Sequence, residues 1–176
     1  MNIELKKIQY SKFASQETAC FQADLYVDGK PFAIVSNDGI GGCDMHYKHP
    51  KNPQTSNEYH EELDTIFKWY RENVKIESEY SETGYIEGSL DIAVGELLDD
   101  HLIEKEVRSL VRRNIIVFTN DGQKGYYKYG IKKYKIDIFP DKLEAMRKKF
   151  KEWYGDFTIL NDFGIDEACE YYKAHT

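Results

Sequence analysis

An α+β fold is the class this chain predicts, and three observations predict it. Its first 40 residues read as short alternating strands broken by a tight-turn dipeptide. Two long segments from Thr55 to Arg113 carry apolar residues at helical spacing. A second strand pair and further helical stripes then follow. The expected order is an N-terminal antiparallel β-meander, two helices, a β-hairpin and C-terminal helices.

Ile3, Leu5 and Ile8 supply the apolar residues of a first strand over Glu4 to Tyr10, and Ser15 to Thr18 is a polar link. From Ala19 to Val27, Phe21, Ala23, Leu25 and Val27 alternate as a half-buried strand does. Asp28-Gly29 is a two-residue hairpin signal, and Phe32 to Val35 completes the meander. Cys43 to Gln54 holds Pro50 and Pro53 without an apolar period and reads as an irregular loop. Thr55 and Glu58 have capping-box spacing, so a helix begins there, with Tyr59, Leu63, Ile66, Phe67, Tyr70 and Val74 along one stripe. Glu77 to Gly88 reads as a loop or a short edge strand. A second helix runs from about Leu90 to Arg113, although Gly95 weakens it by about 1 kcal/mol relative to Ala.

Ile115 to Thr119 reads as a buried strand, Asn120-Asp121-Gly122 as a second hairpin turn, and Gly125 to Ile138 as its Tyr/Lys-alternating partner. Pro140 suits a first helical turn. Leu143, Met146, Phe150 and Trp153 form a third helical stripe that stops at Gly155. Phe157 to Leu160 is extended, and Ile165 to Lys173 is a short last helix. One domain over 1–176 is expected, with a candidate sub-boundary at 77–88.

The net charge is −7, unevenly placed: residues 1–104 balance at −11, residues 105–151 at +9 and residues 152–176 at −5. Opposed blocks of this kind suit a homo-oligomer, or a basic ligand pocket in an otherwise acidic protein. Lys128, Lys132, Lys133, Lys148 and Lys149 read as a solvated face. The acidic total argues against a general nucleic-acid binder. Cys20, Cys43 and Cys169 are odd in number and far apart, which fits a reducing cytoplasm rather than a disulfide framework. With neither an apolar leader nor a membrane-length run, a soluble cytoplasmic protein is expected.

Ser36-Asn37-Asp38-Gly39-Ile40-Gly41-Gly42 is the stretch that looks built for binding. Small residues in successive turns can aim several backbone N–H groups at one anion. In that arrangement the loop from Ser36 supplies backbone donors, Gly39, Gly41 and Gly42 allow close approach, and Asn37 and Asp38 contact polar groups of a ribose or base. The loop lacks the Lys-Ser/Thr of a phosphate-binding P-loop and the helix of a dinucleotide fingerprint. Its glycines also suit a loop that merely needs positive φ. Arg112, Arg113 and Tyr126, with Arg108, Lys124, Lys128 and Tyr129, can form a basic-aromatic surface that offsets charge and stacks on a base.

Cys43-x-x-His46-x-x-His49 has the residue types of a metal site but needs a fourth donor, from Cys20 or His60, at no diagnostic spacing. No metal or other cofactor is therefore expected. His46 is expected on a surface loop, where replacement by Ala changes stability by less than about 0.5 kcal/mol. No nucleophile elbow or Ser-His-Asp order is present, and Glu96, Asp99, Asp100 and Glu104 read as a solvated helix face.

The run Ser15-x-Glu17-Thr18-x-Cys20-Phe21-x-Ala23-x-Leu25-Tyr26-Val27-Asp28-Gly29-Lys30, followed by Val35-Ser36-Asn37-Asp38-Gly39-x-Gly41-Gly42-Cys43, resembles small uncharacterised accessory proteins of tailed phages and prophages. A looser likeness extends through Gly95 to Asp100 and Ile159-Leu160-Asn161. The resemblance carries over no catalytic residue. It implies a small accessory protein in the host cytoplasm that counters host defence. Such a protein either sequesters a small nucleotide-derived signal or blocks a host defence protein directly. The leading expectation is a non-enzymatic binder of a small nucleotide-like anion. Second comes an interaction protein whose acidic face occludes a host protein, and third a metal-dependent hydrolase using His46 and His49.

Overall fold

A computed structural model describes residues 1–120 and 124–176. The chain divides into two compact units, Met1–Asp99 and Asp100–Thr176, and the fold is α+β. The expected turn residues Asp121 and Gly122 lie outside the described residues.

In the first unit, β1 (Ile3–Tyr10), β2 (Phe21–Val27), β3 (Lys30–Asn37) and β4 (Met45–Lys48) form an antiparallel sheet in sequence order. Asp28 and Gly29 join β2 to β3 with φ of 46° and 77°, the paired positive values of a tight hairpin turn. Leu25 pairs with Ala33, Ala23 with Val35 and Phe21 with Asn37, so these residues share the buried face. On the other face Asp24 pairs with Ile34 and accepts a 2.7 Å bond from the Lys7 ammonium. β4 was not expected. It adds to the free edge of β3 with Met45 and Tyr47 exposed and only His46 turned inward, so no apolar period marks it.

α1 (Ser56–Asn73) starts at the expected cap: the Thr55 side chain accepts from the Glu58 amide, and the Glu58 carboxylate accepts from the Thr55 amide. It buries Tyr59, Ile66 and Tyr70. The Tyr59 ring meets Phe32 with centroids 5.1 Å apart, and burial pushes its phenol up to about 12. The polar stretch after α1 is a hairpin, β5 (Lys75–Glu77) against β6 (Tyr85–Glu87). α2 (Leu90–Arg113) is continuous through Gly95. Its residues 90–99 belong to the first unit and the rest to the second.

The second unit is built around β7 (Asn114–Thr119), the middle strand between β8 (Tyr127–Gly130) and β9 (Phe157–Ile159). Its apolar run is buried on both faces. Ile116 and Phe118 pack with Val107 of α2 and with Ala168 and Tyr172 of α5 (Ile165–His175). Ile115 and Val117 pack with Ile136, Ile159 and Phe150 of α4 (Asp141–Tyr154). The expected long strand to Ile138 stops at Gly130. Ile131–Tyr134 forms a helical turn, α3, closed by Lys135 at φ 56°. The turn carries Ile136 into the cluster around Phe150, which an extended strand would not do. Asn161 ties this unit together: its amide donates to the carbonyls of Val111 and Asn114 and accepts from the Ile116 amide, at 2.9–3.0 Å.

Candidate functional site

In the first unit the loop after β3 is organised by Asn37, only 7 % exposed. Its side-chain oxygen accepts from the Thr18 hydroxyl at 2.6 Å and the Gly39 amide at 3.0 Å. Its amide nitrogen donates to Asp44 at 3.0 Å and to the Gly42 carbonyl at 3.3 Å. The Ile40 amide bonds Asp38, and the Gly41 amide bonds the Thr18 hydroxyl. The Gly39 carbonyl in turn accepts from the amides of Gln16, Glu17 and Thr18. The polar link at 15–18 thus supplies the converging amides, and a backbone carbonyl fills them. Of the three glycine amides expected to meet an anion, those of Gly39 and Gly41 are engaged within the protein.

The glycines fit this closed arrangement. Gly39 has φ of 86°, and a Cβ there would fall 2.3 Å from the Ala14 carbonyl oxygen. Gly41 has φ of 102°, with the Glu17 carboxylate 2.7 Å from a Cβ position. Gly42, at φ 91°, faces open space.

Two pockets flank the loop within this unit. Ser36, Asn37 and Asp38 line one of about 480 Å³ together with Gln9, Tyr10 and Gln22, a polar lining that includes the Asp38 carboxylate. Asn37 and Gly42 line the other, also about 480 Å³, together with Thr18, Asp44, Asp91 and Asp99. Burial raises the Asp44 carboxyl above its ordinary range, and the Asp91 charge adds to the rise against the Asn37 hydrogen bond. Among the described residues no Lys or Arg lines either pocket.

The Cys43, His46, His49 trio does not converge. The His46 side chain is 5 % exposed; its Nε2 lies 2.9 Å from Asp91, and its ring meets the edge of Phe67. His46 is therefore a buried strand residue, which corrects the surface-loop expectation. His49 accepts the Lys51 amide at Nδ1 and faces Asp24 at 3.5 Å, while Cys43 is exposed. Among the described residues no group of three or more His, Cys, Asp or Glu is placed to hold a metal ion.

No protein-family model matches this chain, and no curated protein or solved structure is similar to it.

Arg112, Arg113 and Tyr126 lie in the second unit. Both arginines are exposed in the last turn of α2. Arg112 lines an open groove of about 740 Å³ along that helix with His101, Lys105 and Arg108; Arg108 is already paired with Glu104 at 2.6 Å. Tyr126 does not line the groove. Its ring packs on Phe118 and Tyr172, with the Lys128 ammonium 5.1 Å from the ring centre. Tyr129 is likewise taken up, bonding Tyr154 through its hydroxyl and packing on Phe150.

A different basic-aromatic group stands on α3 and α4. Lys133, Tyr134, Lys135, Lys142, Met146 and Lys149 line a pocket of about 370 Å³, and among the described residues no acidic one lines it. Among the described residues none of these four lysines forms an ion pair. The Lys142 ammonium lies 4.9 Å over the Phe139 ring, and the Lys133 ammonium 5.8 Å over Tyr134. The sequence reading assigned Lys133 and Lys149 to a solvated face. The signal that marks them is the helical spacing of Lys142, Met146, Lys149 and Trp153, together with the turn that brings Lys133 and Lys135 alongside. Among the described residues no helix is long and apolar enough to cross a membrane.

Proposed function

We propose that this protein is a non-enzymatic binder that sequesters a nucleotide-like anionic ligand, as an accessory protein of phage type acting against host defence. The observation that carries this reading is the pocket lined by Lys133, Lys135, Lys142 and Lys149 with Tyr134 in its wall and, among the described residues, no acidic side chain. Four ammonium groups without an ion-pair partner among the described residues attract phosphate, and the neighbouring rings offer π faces to a base. The binding site thereby moves from the loop at 36–42 to the second unit. The loop acts as scaffold, because the amides of Gly39, Ile40 and Gly41 are already engaged. Self-association through the opposed charge blocks belongs to the same proposal. Native mass spectrometry of the purified chain tests it: a retained phosphate-bearing mass is expected, lost in Lys142→Glu/Lys149→Glu. Retention unchanged in that variant, or no anion bound at any salt, refutes it.

One observation favours a second reading. Residues 1–99 carry 9 Lys+Arg against 18 Asp+Glu, and Asp44, Asp91 and Asp99 share one pocket. That surface suits a basic protein partner, whose capture would be lost at high salt.

A further inference from the structure

The ligand class at the α3–α4 face follows from how its charges and rings are laid out, given the anion-binding reading above. Two aromatic stations border the lysines. At one end Phe139 is 51 % exposed beside Lys142. At the other, Trp153 is 59 % exposed next to Tyr154, on which the exposed Tyr127 stacks at 4.8 Å. Between them Lys142, Met146, Lys149 and Trp153 follow spacings of four, three and four and so occupy one face of α4. At 1.5 Å per residue that face is roughly 16 Å long, too long for one base to stack at both ends.

Charge strengthens the case. Residues 124–151 hold 10 Lys+Arg against 3 Asp+Glu, so the acidic total of the chain does not describe this surface. A duplex hides its base faces and would leave Trp153 and Phe139 without a stacking partner. A free nucleotide would use one station only. A single strand uses both, its phosphates on the lysines and its bases on the rings.

We infer that the α3–α4 face binds a short single-stranded nucleic acid along α4, resting on the reading that its lysine pocket holds phosphate.

The test uses the full chain with a fluorescein-labelled 12-nucleotide oligo(dT), ATP, inorganic tripolyphosphate and anionic phosphatidylserine vesicles. The oligonucleotide is expected to bind at least ten-fold tighter than ATP. Its affinity should fall with salt at a slope set by the phosphates neutralised, and Lys142→Ala/Lys149→Ala should make that slope shallower by about 1.4. Trp153→Ala is expected to weaken the oligonucleotide about five- to hundred-fold and leave tripolyphosphate unchanged, while Trp153→Phe retains most of the affinity. Equal affinity for ATP and oligonucleotide, or indifference to Trp153→Ala, overturns this inference while sparing the anion-binding reading. Binding to vesicles but not to oligonucleotide overturns it in favour of a membrane surface. Failure of every anion to bind overturns both.

Discussion

Asn37→Ala tests whether the loop after β3 is held by one side chain. The substitution removes acceptor bonds from the Thr18 hydroxyl and the Gly39 amide and a donor bond to the Asp44 carboxylate, all at 3.0 Å or less. Two neutral bonds contribute about 1 kcal/mol each and the charged one about 1.5–3 kcal/mol. The 3.3 Å bond to Gly42 is counted as nothing. Water entering from the adjoining pockets offsets part of the loss, leaving a destabilisation of about 2–4 kcal/mol. For a unit of this size that lowers Tm by roughly 10–25 °C. Each unit holds one tryptophan, Trp69 in the first and Trp153 in the second, so Trp69 fluorescence in a Trp153→Phe background reports the first unit alone. Urea unfolding followed by that signal gives the number. Asn37→Asp sharpens the result. It keeps the acceptor but sets a carboxylate against Asp44, so it should destabilise at pH 7 and recover below about pH 4, where a proton is shared. If Asn37→Ala unfolds within about 0.5 kcal/mol of the parent with the same urea dependence, the loop is held by something else.

Three further outcomes are expected. His46→Ala should cost about 2–3 kcal/mol, because it empties a buried site and leaves Asp91 without its partner; chemical denaturation measures it. Asp44→Asn should stabilise at pH 7, because burial and the neighbouring Asp91 charge both disfavour the ionised carboxyl. The folded carboxyl titrates above its unfolded value, so its stabilising contribution is full below the unfolded pKa and is lost as pH rises. The gain should therefore vanish near pH 3 in thermal scans, and a gain of equal size at both pH values would contradict it. Asn161→Ala should lower the stability of the second unit by about 2–4 kcal/mol, read from Trp153 fluorescence, since three backbone groups lose their partner together.

Much of the fold was legible wherever one residue fixes one local geometry. Asp28-Gly29 makes its turn, Thr55 and Glu58 cap their helix, and Gly155 ends α4 at φ 68°. Segments decided by their neighbours were not legible. β4 exists because β3 has a free edge, and α3 replaces a strand because Ile136 is buried beside Phe150. The candidate site divides in the same way. Glycine content marks the loop at 36–42 correctly as a place of unusual backbone. Nothing in that composition reveals that residues 15–18 would come to enclose Gly39. The lysine pocket was hidden for the converse reason: Lys133 and Lys149 look like ordinary surface charges until a turn of α3 sets them beside one hollow.

β7 carries a consequence for the chain before it is folded. Ile115, Ile116, Val117 and Phe118 are all buried, and both edges of the strand are paired. While the chain is still emerging or has transiently opened, the same residues form an uncharged, β-prone run able to stack on copies of itself. Arg112 and Arg113 stand immediately before it, exposed in the folded protein. In the open chain their like charges set neighbouring copies apart at the segment where aggregation would begin. The two arginines thus guard the assembly of the core that their own helix helps to cover.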